Sequence, residues 1–229
     1  LFLTAANYRT WKNREDAPTI DELFAFVQKY PRFKDILHEA SYCEIEEWRI
    51  EDAILNKKHE QNEKSIKSEN IKTLTDDLEK IRSGEEIGAL NFLAKHYFGI
   101  WIDSNRDISP KDRLVEATNP VIALAALEGF STILSKSGIP SPEQIAALKL
   151  KSRQYLIGLP VLVGMDTVAD LSIGKILSLP DETLKAALVF HHSYFPGHER
   201  SWVPYLINTR PILASEALES FWRPLFKKR

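Results

Sequence analysis

Proline and helix-capping residues divide most of this 229-residue chain into short segments, each carrying apolar residues at helical spacing. Ser141-Pro142-Glu143-Gln144 is the clearest start signal, because it combines proline at the first helical position with a capping box. Ser109-Pro110 and Pro120 open two further helices, and Gly84 and Gly138 end others. Alternating strand patterns are nearly absent. The sequence therefore predicts an all-α fold.

Three apolar segments end in the same way, which suggests a repeated helical unit. Residues 155–160 are echoed by residues 174–180 and, more loosely, by residues 202–211. In each segment an apolar helix end meets a proline that starts the next helix. Because the spacing between the segments is irregular, we expect an irregular array of antiparallel helical pairs, a HEAT- or TPR-like α-solenoid, and not a strict repeat.

A polar stretch separates the two ends of the chain. Residues 56–70 contain one large apolar residue, Ile66, so this stretch is either a solvated helix or a mobile linker. We therefore predict an N-terminal helical segment over residues 1–48 and a long polar helix or linker over residues 49–84. A helical-repeat domain is predicted over residues 85–229.

The charge balance of the chain is close to neutral. Thirty Lys and Arg residues against 32 Asp and Glu residues give a net charge of −2, so no overall field attracts nucleic acid. Cys43 is the only cysteine, which excludes an intramolecular disulfide and favours a small buried side chain in a reducing, cytoplasmic compartment. We accordingly expect a protein partner and no nucleic acid.

Membrane and secretion signals are also missing from the sequence. The most apolar stretch, residues 155–165, is too short to cross a bilayer and is interrupted by Gly158, Pro160 and Gly164. The N-terminus lacks the basic and apolar regions of a secretory signal. From these absences we expect no contact with membranes. The N-terminus also lacks an initiator methionine, which leads us to expect a segment of a larger protein.

Sequence motifs for catalysis are not found. The chain has no phosphate-binding glycine loop, no dinucleotide fingerprint, no paired cysteines for zinc and no Gly-x-Ser-x-Gly elbow. Glu46, Glu47 and Asp52 are an imaginable acid/base set, but their charge-rich surroundings favour a solvated helix face. We predict no catalytic residue and no cofactor for this segment.

Histidines near the end of one predicted helix suggest an alternative to a non-catalytic segment, namely a metal site. His191 and His192 are neighbours, so on a helix they point about 100° apart, whereas zinc ligands on one face are three or four residues apart. A loop can still bring His192 and His198 together beside Glu199. The alternative hypothesis is a metal-dependent helical enzyme with His192, His198 and Glu199 as ligands. A simpler role is interaction with the dipole at the end of the helix that starts at Asp181.

The tryptophans also admit two interpretations. They could form a ligand cage or stacking platform, or they could be wedges between packed helices, which is the more common role in a helical array. The five are Trp11, Trp48, Trp101, Trp202 and Trp222.

Three stretches of the sequence resemble a known family: residues 74–99, 177–191 and 197–202. The family is that of large bacterial signal-transducing NTPases of the NACHT/STAND kind. The resemblance is to the helical-repeat region downstream of their nucleotide-binding module, and it extends over about residues 72–220. The resemblance implies an α-solenoid that senses or scaffolds, contacting a protein partner or neighbouring domains, with ATP hydrolysis elsewhere. Some such proteins act in antiviral defence. No functional residue of the family can be transferred, because the ATP-binding motifs are missing from this sequence.

Overall fold

Helices account for the regular secondary structure in the part of the chain that the structure describes. The computed structural model describes residues 20–35, 45–100, 107–195 and 199–227, and these ranges contain no strand. They hold two 3₁₀ helices, Pro31–Phe33 and Ile173–Ser178, and eleven α-helices: α1 (Ile20–Lys29), α2 (Ile45–Asp76), α3 (Leu78–Arg82), α4 (Ile87–Tyr97), α5 (Pro110–Ala117), α6 (Pro120–Ile133), α7 (Pro142–Lys149), α8 (Gly158–Leu171), α9 (Asp181–Tyr194), α10 (Trp202–Thr209) and α11 (Pro211–Lys227). The predicted all-α class is confirmed.

Some predictions concern residues or side chains that are not described. Positions 11, 43, 101 and 198 lie outside the described ranges, and α2 is described at its start only as backbone. The predictions for the following residues therefore stay predictions: Trp11, Cys43, Glu46, Glu47, Trp48, Asp52, Trp101 and His198.

The chain divides into two compact units, residues 1–66 and 67–229. In the first unit, the Phe26 ring at the end of α1 packs against the Tyr30 ring at 4.9 Å and the Phe33 ring at 5.8 Å. These aromatic contacts join α1 to the 3₁₀ helix that follows it. The larger second unit contains the buried core.

The long helix α2 is polar over most of its length. It has 32 residues, and its described side chains from 55 to 70 are exposed. Residues 56–70 are therefore helical, one of the two alternatives that the sequence left open. Further along, Ile71 is half-buried and Leu74 is buried, and both pack with the core of the second unit. Within the described ranges, no helix combines the length and the apolar character needed to cross a membrane.

Side-chain caps start the middle helices where the sequence predicts them. Ser109 accepts a hydrogen bond from the backbone N–H of Asp112 at 3.2 Å, at the start of α5. Asn119 accepts two from the first turn of α6, each at 3.0 Å. At α7, Ser141 and Gln144 form the reciprocal pair of a capping box. Each cap satisfies backbone donors that have no partner within the helix.

The second unit is organised around α8, whose side chains are mostly buried. This helix contacts α4, α6, α9 and the 3₁₀ helix Ile173–Ser178. On another side of the unit, α11 packs against both α7 and α9, although α7 is distant from it in sequence. The largest fully buried side chains include four aromatic ones: Phe130, Phe190, Trp202 and Phe221.

Two glycines allow α6 to approach its neighbours closely. A Cβ atom on Gly129 would lie 2.1 Å from the carbonyl oxygen of Ile81, and one on Gly164 would lie 2.2 Å from that of Phe130. Neither distance is sterically possible, so larger residues would separate α3 from α6 and α6 from α8. The position of α8, which carries the charged residue at the centre of the candidate site, depends on this packing.

Candidate functional site

A polar cleft of about 430 Å³ lies where four helices of the second unit meet. The end of α4, the start of α5, the middle of α8 and the residues just before α10 border it. Its lining combines hydroxyl, carboxylate and cationic groups: Tyr97, Ser109, Pro110, Lys111, Asp166, Asp170, Glu199, Arg200 and Ser201. Ionisable groups in a concave site are the usual starting point for a functional hypothesis.

Asp166 and Arg200 form an ion pair at the inner end of this cleft. One carboxylate oxygen of Asp166 contacts Nη1 of Arg200, and the other accepts a hydrogen bond from Nε1 of Trp202 at 2.9 Å. The two charged side chains are only 15% and 12% exposed. The two oxygens of Asp166 thus hold Arg200 and the first residue of α10 against α8.

Aromatic rings cover the guanidinium of Arg200. Its central carbon lies 4.7 Å from the centre of the Phe98 ring and 5.1 Å from that of Phe195, and these rings are 5.0 Å apart. A cation against aromatic faces is stabilised by the ring quadrupoles, more strongly where water is excluded. The cluster therefore connects the residues that follow α4 and α9 to the residues that precede α10.

Burial shifts the pKa of two groups in the cleft. Burial raises the pKa of Asp166, while the Arg200 guanidinium and the Trp202 indole N–H oppose that shift. Burial also raises the pKa of Tyr97 well above its usual range, and the charges of Asp166 and Asp170 add to the effect. Tyr97 therefore stays protonated at neutral pH, and the two oxygens of Asp166 contact Arg200 and Trp202.

Other polar groups of the cleft also interact with neighbouring groups. Lys111 lies 3.0 Å from Asp170 in a half-exposed ion pair. The Ser109 hydroxyl donates a hydrogen bond to the carboxylate of Asp112 at 2.7 Å while capping α5. A serine nucleophile needs a base within hydrogen-bond reach, and the partner seen here belongs to a helix cap. The Lys111–Asp170 pair connects α5 to α8.

The structure describes part of the predicted metal site. His192 lies in the last turn of α9, where burial lowers the pKa of its ring, and Glu199 lines the polar cleft. His198 lies outside the described residues. Among the residues that are described, no group of three or more His, Cys, Asp or Glu side chains is placed to hold a metal ion. A site that includes His198 remains a prediction.

The sequence predictions did not include the Asp166–Arg200–Trp202 cluster. Asp166 directly follows the most apolar stretch of the chain, residues 155–165, and a charged residue in such a helix needs a partner. The position of Asp166 was therefore a signal in the sequence, but its partner Arg200 lies 34 positions away and no local spacing identifies it.

Two of the five tryptophans have described side chains in the second unit. Trp202 is fully buried, as a wedge between helices requires, whereas Trp222 is 40% exposed.

A second surface, shallow and open to solvent, follows the outer side of α11. This α11 groove, about 520 Å³, is lined by Ser215, Leu218, Glu219, Trp222 and Phe226. The rings of Trp222 and Phe226 stack with their centres 5.7 Å apart. Phe226 is 66% exposed, so the groove places aromatic surface in water. Exposed apolar surface at a groove is typical of a binding site.

Comparisons of the sequence with models of protein families and with curated proteins, and of the structure with solved structures, find no match. The function is therefore inferred from the residues and their geometry.

Proposed function

We propose that this chain is a non-catalytic helical scaffold or sensor segment that binds another protein or neighbouring domains of a larger chain. The observation that carries the proposal is the α11 groove, where Trp222 and Phe226 present stacked aromatic rings to solvent. Aromatic side chains contribute most of the binding energy in many protein interfaces. The inner face of the same helix is buried on α7 and α9, so α11 is held rigidly enough to present them.

The polar cleft supports the same proposal. Its Asp166–Arg200 and Lys111–Asp170 pairs are contacts between helices, and the pKa of Tyr97 is too high for this residue to serve as a base. A helical scaffold needs such contacts to keep its surfaces in fixed positions. The metal-dependent enzyme is not favoured by any contact within the described residues.

The family resemblance extends this proposal to a biological setting. From the resemblance we infer that the segment belongs to a bacterial, cytoplasmic signal-transducing NTPase of the NACHT/STAND kind, with ATP hydrolysis in a different domain. An involvement in antiviral defence would follow from the same resemblance. The full-length reading frame tests this part, because an upstream nucleotide-binding module is expected.

Site-specific photo-crosslinking tests the binding proposal. A benzoylphenylalanine at Ser215, inside the α11 groove, should crosslink to a protein, whereas one at the exposed Lys151 should not. Equal crosslinking at both positions, or none at either, would contradict a binding role for the groove.

Titration calorimetry of this 229-residue segment with ATP tests the non-catalytic part of the proposal. It should show no binding heat, and tight nucleotide binding would count against the non-catalytic assignment.

A further inference from the structure

We propose that the partner of the α11 groove is α11 of a second copy of this chain, packed antiparallel to the first. This inference rests on the proposed scaffold function and specifies what the groove binds. Three properties of α11 carry it: the spacing of its exposed residues, the distribution of its charges, and the match of its large side chains to smaller or polar ones when two copies run antiparallel.

The exposed residues of α11 have the spacing of a coiled-coil seam. They recur at alternating intervals of three and four along the outer face: Ile212, Ser215, Glu219, Trp222 and Phe226. This α11 stripe is about 21 Å long at 1.5 Å per residue, long enough for a helix to pack along it. Ile212 is 75% exposed and Phe226 is 66% exposed. The opposite face is already buried on the core through Leu213, Ala214, Ala217 and Phe221.

Charges beside the stripe select the orientation of the second helix. Glu216 lies next to the first half of the stripe and Arg223 next to the second half, and both are exposed. In a parallel copy, the two-fold axis would put Glu216 opposite Pro211 and Arg223 opposite Leu218, so no attractive pair of charges would form. An antiparallel copy places Glu216 of each chain against Arg223 of the other, so the two-fold axis creates two attractive pairs.

The antiparallel register also matches side-chain sizes. Phe226 of one copy faces Ser215 of the other, where the small side chain leaves room for the ring. Trp222 faces Glu219, a carboxylate that can accept a hydrogen bond from the indole N–H. One face therefore supplies both the projecting groups and the spaces that receive them. This self-complementarity in shape and charge favours a second copy over an unrelated partner.

The existing ion pairs of the stripe do not prevent this packing. Glu219 pairs with Arg223 of its own chain, and Glu216 lies 2.6 Å from Lys185. The side chains of Glu216, Glu219 and Arg223 are each more than half exposed, so these pairs contribute little and can rearrange. The second copy then adds opposite charges without removing a buried ion pair.

Analytical ultracentrifugation of the 229-residue chain over a concentration series tests the proposal. We expect a monomer–dimer equilibrium that Phe226→Ser weakens by about tenfold or more, since aromatic residues dominate interface energies. The matched control is Leu171→Ser, which removes a 72% exposed apolar side chain at the end of α8 and should leave dimerisation unchanged. Circular dichroism checks that both variants fold.

Charge reversal tests the antiparallel register. Glu216→Arg and Arg223→Glu should each weaken self-association, because each creates two like-charge contacts across the two-fold axis. An equimolar mixture of the two variants should restore dimers, since the mixed dimer has both attractive pairs. A dimer that is insensitive to both single reversals, or a mixture that stays monomeric, would overturn the proposal.

Crosslinking at Ser215 separates this inference from the function on which it rests. Crosslinks between two copies of the chain support both. A monomeric chain that crosslinks to a different protein overturns the second-copy proposal and leaves the scaffold function standing. A monomeric chain without any crosslink at Ser215 overturns both.

Discussion

Asp166 occupies a position on α8 whose neighbours in sequence, Met165 and Thr167, are buried. Its charge is tolerated there because Arg200 and Trp202 supply a cation and a hydrogen-bond donor. Removing water from two charges is costly, and the gain depends on good geometry and on additional hydrogen bonds. Losing one charge of the pair therefore costs more stability than the ordinary loss of a surface charge.

Replacing Asp166 tests this view. Asp166→Asn keeps the size of the side chain but leaves Arg200 without its counter-charge, so we expect the free energy of unfolding to fall by about 2 to 4 kcal/mol. The matched control is Asp170→Asn on the same helix, whose pair with Lys111 is half exposed, and which should cost about 1 kcal/mol or less. Urea unfolding measures both values. Equal losses would mean that burial does not set the strength of the Asp166 pair.

His96 makes the stability of the folded protein depend on pH. Burial lowers the pKa of this ring below its ordinary value of 6.5, and the nearby positive charge of Lys67 lowers it further. The native state therefore favours the neutral ring. The stability associated with it is fully present above that ordinary value and is lost as the pH falls below it towards the lowered pKa of the native state.

A glutamine at position 96 should reduce that dependence. Between about pH 7.5 and about pH 5.5, we expect His96→Gln to lose less stability than the unchanged protein, because its side chain takes up no proton. Guanidinium unfolding at several pH values measures the difference. The other histidines are present in both proteins, so they cancel in the comparison. The same slope in both proteins would exclude His96 as the cause.

At the scale of the helices, local signals were predictable and contacts between distant segments were not. Ser141 and Gln144 form the capping box that their spacing predicts, since a cap depends on neighbouring residues alone. The packing of α7 on α11 depends on the whole fold, and no local pattern specifies it. The candidate site could not be predicted for the same reason, because it is the packing of the chain that brings Asp166 and Arg200 together.

Glycine substitutions test how closely the helices must approach. Gly129→Ala should destabilise the protein by about 1 to 3 kcal/mol, because the new methyl group would meet the backbone oxygen of Ile81 at 2.1 Å. Gly88→Ala is the control, since its nearest neighbour is the flexible end of Glu86 at 3.2 Å. Alanine is also the better helix former, so Gly88→Ala should be neutral or stabilising by up to about 1 kcal/mol. Similar destabilisation by both substitutions, measured by thermal unfolding, would contradict the close packing of α3 on α6.

At the scale of the whole molecule, the boundary between the two compact units falls inside α2. The helix begins at Ile45, the boundary lies between Ile66 and Lys67, and Leu74 near the other end is buried in the core of the second unit. Lys67 also donates a hydrogen bond to the backbone oxygen of Glu116 at 2.7 Å, at the end of α5. The last turns of α2 are therefore part of the fold of the second unit.

Two shortened chains test that assignment. A chain of residues 67–229 keeps Lys67, Ile71 and Leu74, so it should unfold cooperatively with its helices intact. A chain of residues 78–229 loses these contacts and should be less stable by about 2 kcal/mol or more, since removal of one buried leucine side chain typically costs that much. Circular dichroism during thermal unfolding compares the two. If both chains unfold at the same temperature, the end of α2 contributes nothing to the second unit, and if the longer chain fails to unfold cooperatively, the boundary at Lys67 is wrong.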